Sequence, residues 1–229
     1  MPAGTTKPYP VVMVHGGGQT GTNFLGTPDG RPGWNEWFLR QGHPVYIVDQ
    51  PARGRSAYYA TAQGPVAPSL AHGTEQRFTA PEKYNRWPQA KLHTQWPGSG
   101  QQGDPTFDQF FASQETSITD NVLMDESNRD DLVALLERIG PAIVLTHSRS
   151  GPFGWLVADA RPDLVRAILA IEPNGPPFFD VVPSAATPTF VRAWGIAYAK
   201  LHFDPPVEQP ASLAPGLDAA DDGPDMERC

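Results

Sequence analysis

The chain predicts an α/β fold: a doubly wound, mostly parallel sheet with helices on both faces. Three observations carry that reading. Short apolar runs recur, amphipathic stretches of helical period separate them, and polar residues able to do chemistry sit at the carboxyl ends of the runs.

Val11-Val-Met-Val14, bounded by Pro10 and a glycine cluster, reads as a strand buried on both faces. Val45-Tyr-Ile-Val48, Ala142 to Leu145 and Ala167 to Ile171 are the second, third and fourth strands. Between the first two, Trp34 to Gln41 is a short helix closed by Gly42 and Pro44. Asn128 to Ile139 places Leu132, Leu135, Leu136 and Ile139 on one helical face, with Asn128 able to cap its start and Gly140-Pro141 stopping it. Arg149 to Ala160 is the third helix, ended by Arg161-Pro162. The stretch from 58 to 104 is rich in Gly, Pro and Gln yet carries Tyr58, Tyr59, Phe78, Tyr84, Trp87 and Trp96, which a flexible linker would not need. It reads as a lid over the site mouth, and the proline-rich stretch 173–229 as a second, cap-like cover.

A length of 229 residues with 39% hydrophobic content supports one domain with one sizeable core. The net charge of -8 and the lack of any Lys/Arg cluster argue against a nucleic-acid partner. Half of that charge lies between Leu217 and Arg228, a solvated polar segment. The one cysteine, Cys229, excludes an internal disulfide and any cysteine metal site. The N-terminus has no apolar h-region and no 18-residue apolar run occurs, so no membrane span is expected and the default location is cytoplasmic. Neither a metal nor a cofactor is expected, and oligomeric state is not readable.

Chemistry concentrates at three strand ends. Thr146-His-Ser-Arg-Ser150 follows the third strand and precedes a helix, so Ser148 is expected on a sharp strand-to-helix turn as a nucleophile, with the Arg149 N–H aimed at a developing oxyanion. His15-Gly-Gly-Gly18 follows the first strand, and Gly17 and Gly18 are the expected further oxyanion donors. Glu172 ends the fourth strand, buried between an apolar run and a proline turn, and is the expected carboxylate orienting a histidine base. Gly16, Gly18 and Gly21 also match the dinucleotide pattern G-x-G-x-x-G, with Asp49 as a ribose-binding acid. That alternative is weaker, because 23–33 is too rich in Gly and Pro to be the required helix; a phosphate-binding P-loop fails because Thr22 and Asn23 follow Gly21.

These residues resemble a known superfamily. Asp49-Gln-Pro-Ala-Arg-Gly-Arg-Ser56 is similar to the D-x-x-G-x-G-x-S-type loop of α/β-hydrolases, His15 to Gly18 to their oxyanion loop, and Thr146 to Ser150 to their elbow. More narrowly, Val11 to Asn174 resembles the esterase 713-like carboxylesterase subfamily of bacteria and fungi, some of whose members are secreted. The resemblance implies the central strands of an α/β-hydrolase fold, a small-molecule ester substrate, a cap over the site and Glu172 as the acid. Thr146 and Ser150 stand where the superfamily has elbow glycines. The superfamily's histidine lies after the last strand, and no histidine follows His202. His147 is expected to point into the sheet, and none of His15, His43, His72, His93 or His202 is expected to serve as base. The chain therefore reads as a serine carboxylester hydrolase truncated at both ends and impaired. A non-catalytic pseudohydrolase scaffold is the other open reading.

Overall fold

A computed structural model describes residues 6–180 and 189–215, and the backbone alone of 218–219 and 227–228. Most of the acidic segment Leu217–Arg228, and Cys229, lie outside the described residues.

Four parallel strands form the central sheet: β1 (Val11–Val14), β2 (Val45–Val48), β3 (Ala142–His147) and β4 (Val165–Ile171), in the spatial order β2-β1-β3-β4. All four residues of β1 are fully buried, as a central strand covered on both faces must be. Alternation then divides the core. Val12, Val14, Ala142 and Val144 pack on one face against Leu132, Leu136, Phe153 and Val157, while Val11, Met13 and Leu145 face the other with Phe24 and Phe38. Helix α1 (Trp34–Arg40) lies on this second face. Beyond it a cavity of ≈ 700 Å³ opens between Trp34 and Trp37 and the strand residues Leu169 and Ile171.

Helix α2 (Pro105–Ala112) is capped by Asp104, whose carboxylate accepts from the N–H groups of Thr106 and Phe107. Helix α3 spans Asn121–Ile139, seven residues longer at its start than the apolar periodicity predicts. Asp120 is its cap, accepting from the N–H groups of Val122 and Leu123, so Asn128 is not. Asn128 is instead buried within the helix, its amide donating to the Met124 carbonyl. The early turns hide from a hydrophobic pattern because they bury polar groups: Asp125 faces the chain at 198–199 and accepts from the N–H groups of Tyr198 and Ala199. Helix α4 (Gly151–Ala160) follows a single 3-10 turn over Ser148–Ser150, with Phe153, Leu156 and Val157 fully buried.

Between residues 58 and 104 there are single-turn helices organised around Glu75. Its buried carboxylate accepts from the Tyr84 hydroxyl and the Gln102 N–H. Tyr84, Trp87 and Trp96 are partly buried, whereas Tyr58, Tyr59 and Phe78 face outward. A two-residue strand at Val66–Ala67 pairs antiparallel with Ser117–Ile118.

Candidate active site

The loop after β1 is anchored before it can present anything. The His15 ring is fully buried; its Nδ1 donates to the Gly16 carbonyl at 2.9 Å and its Nε2 accepts from the Gln50 N–H at 3.1 Å. Burial pushes this imidazole down to about 4, with the Gly16 bond opposing it and the Arg53 charge helping. A neutral, doubly engaged ring cannot take a proton from elsewhere at neutral pH. The glycines that follow permit close approach. A Cβ on Gly16 would lie 3.0 Å from His147 Nδ1 and 3.3 Å from Ser148 Cβ, and one on Gly17 would lie 3.4 Å from Arg149 Cβ. Gly18 has φ +67° and its side-chain direction faces Ser69 and Gln114, while its carbonyl accepts from the Glu115 N–H at 2.7 Å.

The loop after β2 grips this one. Asp49 accepts from the Gly21 N–H at 2.6 Å, from the Arg55 N–H at 2.9 Å and from Arg55 Nε at 2.7 Å. Burial would raise its pKa, but these bonds and the Arg55 charge overcome it and hold the carboxyl at about 2. Gln50 Nε2 donates to the His15 carbonyl. Arg53, 2% exposed, donates from Nη1 to the Gly16 carbonyl at 2.9 Å and from Nη2 to Ser117 Oγ at 2.7 Å. With Asp49 occupied inside the protein and only a 3-10 turn at Gly21–Phe24, the dinucleotide reading loses both the acid and the helix it requires.

Ser148 is half-buried where β3 ends and has φ 55°, a left-handed conformation unusual for a serine. Ser150, expected only to be small enough to replace a glycine, does more. Its hydroxyl receives the His147 N–H at 2.8 Å and donates to the Val14 carbonyl at 2.9 Å, tying the turn to the end of β1. The Arg149 side chain turns away from the serine: its guanidinium donates to Asn121 Oδ1 and lies 4.6 Å over the Tyr198 ring.

Glu172 is exposed, contrary to the burial expected from its neighbours, because the backbone turns over at φ 44° immediately after β4. The loop is nevertheless joined to the serine turn. The Asn174 N–H donates to the Ser148 carbonyl at 3.0 Å, and Pro173 lies so close to Gly151 that a Cβ there would sit 2.5 Å from its Cβ. His147 does not vanish into the sheet. It is half-buried with Nδ1 beside Gly16, its pKa lowered by burial and partly restored by the charge of Glu172.

The remaining histidines are engaged elsewhere. His43 Nδ1 bonds the Tyr9 carbonyl, His72 lies beside Gln76 and Glu75, and His93 pairs with Glu82. His202 pairs with Asp159 near the far end of α4, on the order of 12 Å along the helix from its first turn. Among the described residues no histidine side chain is hydrogen-bonded to Ser148, no group of three or more His, Cys, Asp or Glu residues could hold a metal ion, and no helix is long and apolar enough to cross a membrane.

No protein-family model matches the chain. Over 205 residues it is 49% identical to a protein described as the probable secreted lipase phiG of a fungal species (strain ATCC 74256), a match covering 90% of this chain and 55% of that protein. Among solved structures, one reported as the atomic-resolution structure of a novel bacterial esterase aligns with a TM-score of 0.57 at 26% identity, covering 75% of this chain and 55% of that one. The chain thus spans about half the length of these relatives.

Proposed function

The chain has the α/β-hydrolase fold and resembles bacterial and fungal esterases, and from that premise we propose that it is a serine carboxylester hydrolase acting on a small-molecule ester. In this reading Ser148 Oγ adds to the acyl carbonyl carbon, and the carbonyl oxygen, now an alkoxide, is held by the N–H groups of Gly17, Gly18 and Arg149. The carbon–oxygen bond to the alcohol breaks, the alcohol leaves with a proton, and water then cleaves the acyl–Ser148 ester to regenerate the hydroxyl. One observation carries the proposal: a serine at φ 55° ends a buried parallel strand with the Gly16–Gly17 backbone packed against it.

We assign to Glu172 the role of orienting a histidine base, supported by the Asn174 N–H, two residues on, that bonds the Ser148 carbonyl. Because none of the six histidines bonds Ser148 among the described residues, acylation by this chain is slow, resting mainly on the oxyanion donors. The stretch 58–104 serves as the lid, supported by Ser69 lying against Gly18. The test is hydrolysis of 4-nitrophenyl acetate by wild type and Ser148→Ala. A rate that falls to background in the variant supports the reading, and equal rates overturn it.

A further inference from the structure

We infer that Arg53 is the positioning residue of the glycine loop, holding the Gly17 N–H aimed at the oxygen that becomes negative when Ser148 attacks; this rests on the hydrolase reading above. The Gly16 carbonyl and the Gly17 N–H belong to one planar trans peptide unit and point in opposite directions. That carbonyl is gripped from the protein interior by two donors, Arg53 Nη1 and His15 Nδ1, each at 2.9 Å. The N–H is therefore sent outward, toward the surface where Gly17 is the exposed member of the loop. A unit with glycine on both sides rotates cheaply, and a flip would present a carbonyl oxygen to the developing negative charge. Something must prevent it.

The setting of Arg53 agrees. Among the described residues its hydrogen-bond partners are a carbonyl and the Ser117 hydroxyl, with no carboxylate, and its Nε has no partner. Burying a cation this way is costly, so a packing role alone would be met better by an apolar side chain. Ala52 at φ 64° and Gly54 at φ 52° turn the backbone on either side of it, a strained conformation for the alanine. Ser117, at the other arm of the fork, belongs to the two-residue strand paired with Val66–Ala67, so one side chain sets the glycine loop against the lid.

The experiment is covalent labelling by an alkyl fluorophosphonate followed by intact mass. The Ser148 Oγ–phosphorus bond forms, the phosphorus–fluorine bond breaks, fluoride leaves and the hydroxyl proton passes to solvent. For Arg53→Met the limiting rate constant is expected to fall by about 10- to 100-fold, with the half-saturating probe concentration changed less than about twofold, because the contact is made only in the transition state. Arg53→Lys, keeping one charged donor, should recover part of the loss. Thermal unfolding and the number of labelled serines separate this from a folding defect. A variant with fewer labelled serines but an unchanged rate constant per serine overturns the inference. If Ser148→Ala abolishes labelling while Arg53→Met labels like wild type, the positioning role alone fails; if Ser148→Ala still labels, the hydrolase reading fails and takes this role with it. Should Arg53→Met not fold, wild-type rate constants in both Arg53→Lys and Ser117→Ala are the overturning result.

Discussion

Acidification from pH 7 to pH 4 is expected to weaken the fold by about 3 kcal/mol through one imidazole, that of His15. In the folded chain burial holds this ring at about 4, against an ordinary 6.5. Between those values the unfolded chain carries a proton that the folded one refuses, so stability is complete above about pH 6.5 and drains as the pH falls toward 4. The slope reaches about 1.4 kcal/mol per pH unit, and the whole gap corresponds to about 3 kcal/mol, a large part of the roughly 5–15 kcal/mol that holds a domain together. His147, also lowered by burial, acts in the same sense. Asp49, held at about 2, matters only below about pH 4, whereas Asp125 and Asp131, raised by burial, oppose the trend. The comparison that isolates His15 is therefore a variant. His15→Gln keeps an acceptor for the Gln50 N–H and cannot titrate. Urea unfolding of both proteins at half-unit steps from pH 4 to 7 should give a difference in stability that changes with pH by about 3 kcal/mol. Parallel curves would refute the reasoning, as would an NMR titration in which the His15 ring protonates near pH 6.5.

Two further outcomes follow from the geometry. Gly151→Ala places a Cβ 2.5 Å from Pro173 Cβ, so the turn carrying Glu172 and Asn174 must move; a loss of about 1–3 kcal/mol in thermal unfolding, with slower fluorophosphonate labelling, is expected, and a wild-type melting curve would contradict it. Asp120→Ala removes the carboxylate that caps α3 and should cost about 1 kcal/mol in urea unfolding, whereas Asn128→Ala, at the position the sequence suggests as the cap, should leave the two N-terminal N–H groups served as before, visible in their amide exchange.

Periodicity reveals what burial imposes uniformly. Val11–Val14 and Val45–Val48 are legible to the residue because nothing polar interrupts them. The third strand runs two residues past its apolar stretch because Thr146, fully buried, and His147 continue the ladder with β4. The start of α3 is illegible because Asp125 and Asn128 bury polar atoms that face partners distant in the chain or on their own helix. At the site, Ser148 and Gly17 are suggested by motif, and the structure brings Gly16 close to the Ser148 side chain and Gly17 close to that of Arg149. The clamp that Gln50, Arg53 and Ser150 make on the end of β1 and its loop leaves no local trace, since the bonds that reach His15, Gly16 and Val14 join residues 35 to 136 positions apart. The exposure of Glu172 is hidden for a different reason: a backbone reversal at one residue decides it.

The loops at the carboxyl end of the sheet interlock: Gly21 to Asp49, Gly16 to Arg53, Val14 to Ser150, and Ser148 to Asn174. For protein engineering, this makes residues 15–21 and 49–56 a single transplantable cassette. Grafted without the second segment, the first would arrive with its peptide planes free to rotate, and a chimera built that way should inherit the motif and lose its geometry.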